Sequence, residues 1–191
     1  MQPRLTRRVR ESRLARMIVR LAEGRRGSAA VEFAMVALPF LALIMGILEI
    51  SMIYLVSTTL ENATADAARQ IRTGQLQTAG GATSAGFVTT ICGELTWLGS
   101  NCSNNLHVDV RTFASFSNIT QASPIKNGVI DTTALQFTPG TAGQIVLVRA
   151  FYQWTLFTPL LDGIAAQMNG GSTLLTATAA FKNEPYSNTG T

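Results

Sequence analysis

From Phe33 to Val56 the chain reads FAMVALPFLALIMGILEISMIYLV, 24 residues interrupted by a single charge, Glu49. A buried core helix of this length carries a polar face, and this stretch has none. As a helix it would be about 36 Å long, against a hydrocarbon core of roughly 30 Å. The pattern predicts a transmembrane helix. Beyond it Leu60, Ala63, Ala67, Ala68 and Ile71 keep a helical period, with Glu61, Asp66, Arg69 and Arg72 on the other side, so the helix should continue out of the membrane with one packed face. Gly74 is a C-cap candidate. One helix from about Ser28 to Thr73 follows.

Downstream the period changes. A loop of Ala, Gly, Thr and Ser over 77–86 leads into Phe87, Ile91, Leu95 and Leu98, spaced for a short amphipathic helix. Leu106, Val108 and Val110 alternate with His107, Asp109 and Arg111, the signature of a strand with one buried and one wet face. Gln144 to Phe157 and Thr173 to Phe181 are two further β-rich runs, and Leu160 to Met168 a helical turn closed by Asn169-Gly170-Gly171. Asn118 to Gly143 is a long, turn-rich connection with no assigned role. The fold class is α+β: the long helix packed on a small, mostly antiparallel sheet with one or two short helices.

Composition sharpens this picture. Of 191 residues 47% are apolar and only 14% charged, which excludes a disordered chain. The net charge of +4 is uneven: residues 1–26 hold nine Arg against Glu11 and Glu23, a local +7, and the remainder carries −3. Basicity therefore belongs to the leader, and nucleic-acid binding is not indicated. The Arg-rich flank belongs in the cytoplasm and the uncharged run from Ser57 outside. A cleaved secretory signal would have a shorter apolar stretch, although Ala63-Thr64-Ala65 offers small residues after it. Leu14, Met17, Ile18 and Leu21 line one helical face of the leader, as in a mitochondrial presequence or a helix lying on an anionic leaflet.

The junction reads Arg25-Arg26-Gly27-Ser28-Ala29-Ala30-Val31-Glu32-Phe33-Ala34. A Gly at a basic-to-apolar boundary, followed five residues later by a lone Glu, resembles a class III prepilin processing site. With Leu38-Pro39, Gly46 and Glu49 it is similar to TadE-like minor pilins of the tight-adherence (Flp) pilus, over about residues 25–70. Ala177 to Tyr186 is a further family-like stretch. Phe33 stands where the major pilins of this group carry Tyr, which suggests a minor component. The resemblance implies cleavage between Gly27 and Ser28 by a prepilin peptidase. It also implies partnership with other pilins and inner-membrane components of the machinery, and a role in pilus biogenesis and surface adhesion.

The residues carry this chemistry themselves. Gly27 lets a backbone enter a protease cleft without a side-chain clash. Cleavage would remove the leader and leave a free amine on Ser28. Glu32 then lies one turn into the apolar segment, where an unpaired carboxylate costs a few kcal/mol. Either it snorkels to the interface or it pairs with an α-amine, its own or a neighbour's. Glu49 is an interfacial residue or an inter-subunit contact, Pro39 would loosen the helix, and Gly46 would let another helix approach.

The expected organisation is a basic leader over 1–27, a transmembrane helix over 28–56, its periplasmic extension over 57–75 and a periplasmic α+β domain over 76–191. In that oxidising compartment Cys92 and Cys102, the only cysteines, are expected to form a disulfide. Two Cys and one His are too few for a closed metal site, and no cofactor is expected. No enzyme motif is present: His107 is alone, no Gly-x-Ser-x-Gly or phosphate-binding loop occurs, and the acids are scattered. The alternative to a pilin is an uncleaved bitopic inner-membrane protein displaying a periplasmic binding domain.

Overall fold

The computed structural model describes residues 25–79 and 82–186. The leader residues 1–24, and the leader's expected amphipathic face, lie outside the described residues. The first helix, α1, spans Arg25–Arg72, and the chain divides into two compact units, one ending at Met45 and the other starting at Gly46.

In the first unit the helix carries its large apolar side chains, such as Phe33, Met35, Val36, Leu38 and Phe40, on the outside. Among the described residues it contains the one stretch long and apolar enough to cross a membrane, and only 11% of that window is buried. A core helix of a soluble protein would be mostly buried, so this segment is a candidate membrane span.

The second unit begins with the remainder of α1. Here Leu60, Ala63, Ala67, Ala68 and Ile71 form the buried stripe predicted from periodicity, joined by Val56, while Glu61, Asp66, Arg69 and Arg72 stay exposed. Buried positions already start at Gly46 and Glu49, ahead of Ser57, where the pattern had placed the start of the packed half. Gly74 adopts a left-handed φ of 78° just past the helix end, a conformation that glycine takes without a Cβ penalty. A short helix α2, Gln75–Thr78, follows.

Helix α3 covers Ser84–Glu94. Thr83 caps it, its side chain accepting from the Gly86 N–H at 3.1 Å. A 3-10 stretch over Thr96–Asn101 and the four-residue helix α4, Cys102–Asn105, then lead into β1, Leu106–Phe113. Phe87, Ile91 and Leu95 are fully buried, but the helix ends at Glu94, short of the expected run, so Leu95 and the half-buried Leu98 lie beyond it. Cys92 and Cys102 are joined in a disulfide with Cα atoms 5.8 Å apart.

Strands β1, β4 (Ile145–Thr155) and β5 (Ser172–Lys182) form an antiparallel sheet in the order β1-β4-β5. A two-stranded ribbon, β2 (Ile125–Lys126) and β3 (Val129–Ile130), lies within the long connection. Helix α5, Pro159–Ala165, sits between β4 and β5. One sheet face, with Val108, Val110, Val148, Ala150 and Ala177, packs with the stripe of α1 and with Phe87 and Ile91 into one core. The result is the expected α+β architecture.

The second face departs from the alternation rule. Asp109 was expected to face water, but it is 1% exposed. Register explains this: Asp109 lies directly opposite Arg149 on the central strand, and that side chain is buried with it. The connection over 118–143 covers this face, with Ile125, Ile130 and Leu135 packing against Phe151, Met168 and Leu174.

The end of the described chain returns to α1. The Glu184 N–H donates to the Arg72 carbonyl at 2.9 Å, and the two side chains form an ion pair at 3.2 Å. Asn183 is buried and its amide donates to the carbonyls of Pro139 and Thr141. The Tyr186 ring lies where a Cβ on Gly74 would be, so both backbone conformation and space require glycine there.

Candidate functional site

Gly27 and Ser28 stand inside α1, in the first unit. The Ser28 hydroxyl donates to the Glu32 carboxylate at 2.9 Å, an i to i+4 contact. Glu32 and Phe33 are exposed. The sequence pointed to an interfacial or amine-paired carboxylate; the structure gives Glu32 a hydroxyl donor one turn earlier. Pro39 is inside the helix and exposed.

Glu49 belongs to the second unit, and its environment is different. It is 0% exposed, within a helix whose neighbouring positions are apolar. One carboxylate oxygen accepts the Phe157 N–H at 2.7 Å and the other accepts the Thr158 N–H at 2.9 Å. Thr158 is the N-cap of α5 and its side chain makes no capping bond, so the glutamate takes up amides that the helix start leaves free. Charge-assisted bonds of this kind are roughly twice as strong as neutral ones. The sequence offered an interfacial residue or a contact between subunits; the carboxylate finds both its partners in its own chain. Thr158-Pro159 was the available signal, since a Thr followed by Pro marks a helix start. Gly46, one turn before Glu49, is buried, and the space beside it would admit a Cβ.

A second polar cluster holds the long connection on the sheet. Arg149 donates to Asp109 at 2.6 Å and to the Ala122 carbonyl at 2.8 Å. Arg111 donates to Asp109 at 2.9 Å and to the Ala134 carbonyl at 2.5 Å. The Gln136 N–H donates to Asp109 at 2.9 Å. Burial raises the Asp109 pKa, but the bonds from Arg149, Gln136 and Arg111 outweigh it, and the net shift is downward. This cluster is structural in form: its bonds tie β1, the central strand and the long connection together. Asp131, paired with Lys126 and bonded to Thr133, has its pKa lowered to about 2.

His107 is half-buried, and loss of hydration lowers its pKa. It lines an open groove of about 470 Å³ with Ser84, Val88, Leu135 and Phe137. Among the described residues no three His, Cys, Asp or Glu side chains gather as metal ligands.

Comparison with known proteins isolates the helix. Neither curated proteins nor solved structures give a match. The family described as TadE-like protein does match, over residues 27–69. That segment holds Gly27, Ser28, Glu32, Phe33, Pro39, Gly46 and Glu49, and it stops short of the disulfide and the sheet. Through this segment the chain is similar to the TadE-like protein family, in keeping with a pilin of the tight-adherence system.

Proposed function

We propose that the chain is a minor pilin or pilus assembly protein of a tight-adherence pilus. A prepilin peptidase cleaves it between Gly27 and Ser28 on the cytoplasmic side. Residues 28–56 then anchor it in the inner membrane and the remainder faces the periplasm. It acts with other pilins and inner-membrane components in pilus biogenesis and surface adhesion, and its role is structural, not catalytic.

The observation that carries this reading is the start of the family match at residue 27, the glycine at which the charge pattern switches from basic to apolar. Glu32 is the assembly residue. Its carboxylate is exposed on an apolar helix, where an unpaired charge costs a few kcal/mol in lipid. After cleavage the α-amine of Ser28, or of a neighbouring subunit, would join the Ser28 hydroxyl as its partner and fix the axial register.

The test is complementation of a deletion strain. Wild-type protein restores fibres and adhesion. Glu32→Gln is cleaved and held in the inner membrane but restores few fibres, and Gly27→Leu is not cleaved. Normal piliation in the deletion strain would overturn the proposal and favour an uncleaved bitopic protein with a periplasmic binding domain.

A further inference from the structure

Between Gly46 and Leu60 the helix shows two unlike sides. Gly46, Glu49, Val56 and Leu60 are buried and Ile53 is half-buried, a continuous i to i+3 or i+4 stripe. The other side exposes Ile47, Leu48, Ile50, Met52, Tyr54 and Leu55. Ser51 among them donates its hydroxyl to the Ile47 carbonyl at 2.8 Å, so the Tyr54 phenol is the polar group this side turns outward. The polar run begins only at Ser57.

The domain segment clamped to Glu49 is apolar on its outside as well. Phe157 is 50% exposed, and Ile164 at 82% is the most exposed large apolar side chain among the described residues. Asp162 lies about 200° around α5 from Ile164, at 100° per residue, and its carboxylate borders Gly171. Asp162 is itself exposed, so α5 presents Ile164 and its one charge on opposite sides.

We propose that the segment from Phe157 to Ile164 is a membrane-immersed foot of the domain, with both side chains seated in the outer leaflet. Its partner is the lipid surface, and the inference rests on reading α1 as a membrane span. Continuity supports it: the exposed residues from Ile47 to Leu55 extend the lipid-facing stretch up to Val56, and the foot is fixed to that same level by Glu49. Glu49 lies seven residues before Val56, a depth of about 10 Å by helical rise, within the roughly 5–10 Å reached by interfacial segments. Backbone N–H groups near hydrocarbon must find partners inside the protein. The Glu49 carboxylate serves the amides of Phe157 and Thr158, and they in turn satisfy its charge. Tyr54, 70% exposed, suits the level of the head groups.

The test uses the full chain with its native disulfide, reconstituted in phosphatidylcholine–phosphatidylglycerol vesicles. An environment-sensitive fluorophore is placed at Ile164→Cys, with Leu41→Cys as the span control and Gln121→Cys as the water control. Lipids carrying a nitroxide high on the acyl chain are the quencher. We expect quenching at 164 to reach roughly half or more of that at 41, as for a shallow interfacial site, with little at 121. Quenching at 41 but not at 164 overturns the foot and leaves the span intact, and it means that water or another protein covers Ile164. Quenching at neither position overturns the span and the foot together.

Discussion

The carboxylate of Glu49 and the amide of Thr158 are 109 residues apart in sequence and 2.9 Å apart in space. This one contact, with its companion to Phe157, holds the start of α5 to the long helix. Both its oxygens accept backbone amides, and no cation among the described residues pairs with it. A carboxylate inside an apolar stretch thus serves the chain's own fold.

Replacing Glu49 with Ala should orphan the buried Thr158 amide and the part-buried Phe157 amide, a fully buried one being worth about 1–3 kcal/mol. We expect Glu49→Ala to lower unfolding free energy by about 3 kcal/mol, and Glu49→Gln, which keeps one acceptor oxygen, by less. Denaturation of the full chain in detergent measures this. Equal stability of wild type and Glu49→Ala would contradict the clamp.

Asp109→Asn should be more damaging than its surface-like sequence context suggests. It leaves the Arg149 guanidinium buried beside a neutral group, and breaking a buried pair costs about 3–5 kcal/mol. The covering connection should loosen too, because Ala122, Ala134 and Gln136 are tied to the same cluster. Proteolysis of the folded protein should move into 118–143 in the variant. Unchanged cleavage and stability would refute the assignment.

Acid should act in two steps. His107 has its pKa lowered by burial, so the unfolded chain takes up a proton first, and stability falls as pH drops below about 6.5. Asp109 is shifted down, so its contribution is present above about pH 4 and is lost as pH falls through its folded value. His107→Gln should abolish the upper step and keep the lower one. Denaturation midpoints collected from pH 8 to 3 report both.

The disulfide closes a short loop, with a sequence separation of 10. Chain-entropy arguments give such a loop about 2–3 kcal/mol. The double substitution Cys92→Ser with Cys102→Ser should lose that amount without changing the fold, since Phe87, Ile91 and Leu95 still bury their side chains in the core. Matched thermal melts of the oxidised wild type and the double variant decide it.

Periodicity carried most of the architecture. Leu60, Ala63, Ala67, Ala68 and Ile71 were legible because a helix repeats every 3.6 residues, and Val108 and Val110 because a strand repeats every two. What stayed hidden were contacts between distant segments. Alternation classed Asp109 as wet, and only the register that sets it against Arg149 makes it buried. The role of 118–143 was illegible because Ile125, Ile130 and Leu135 follow no single period. Glu49 stood out as a lone charge, but its partners are backbone amides, which carry no side-chain signature.

Processing at the Gly27–Ser28 bond is the claim on which the pilus assignment turns. N-terminal sequencing and intact mass of the protein extracted from membranes of its native host measure it directly. The account predicts a mature chain that begins at Ser28 and lacks the Arg-rich leader. A mature chain that still carries Arg25-Arg26 would contradict it.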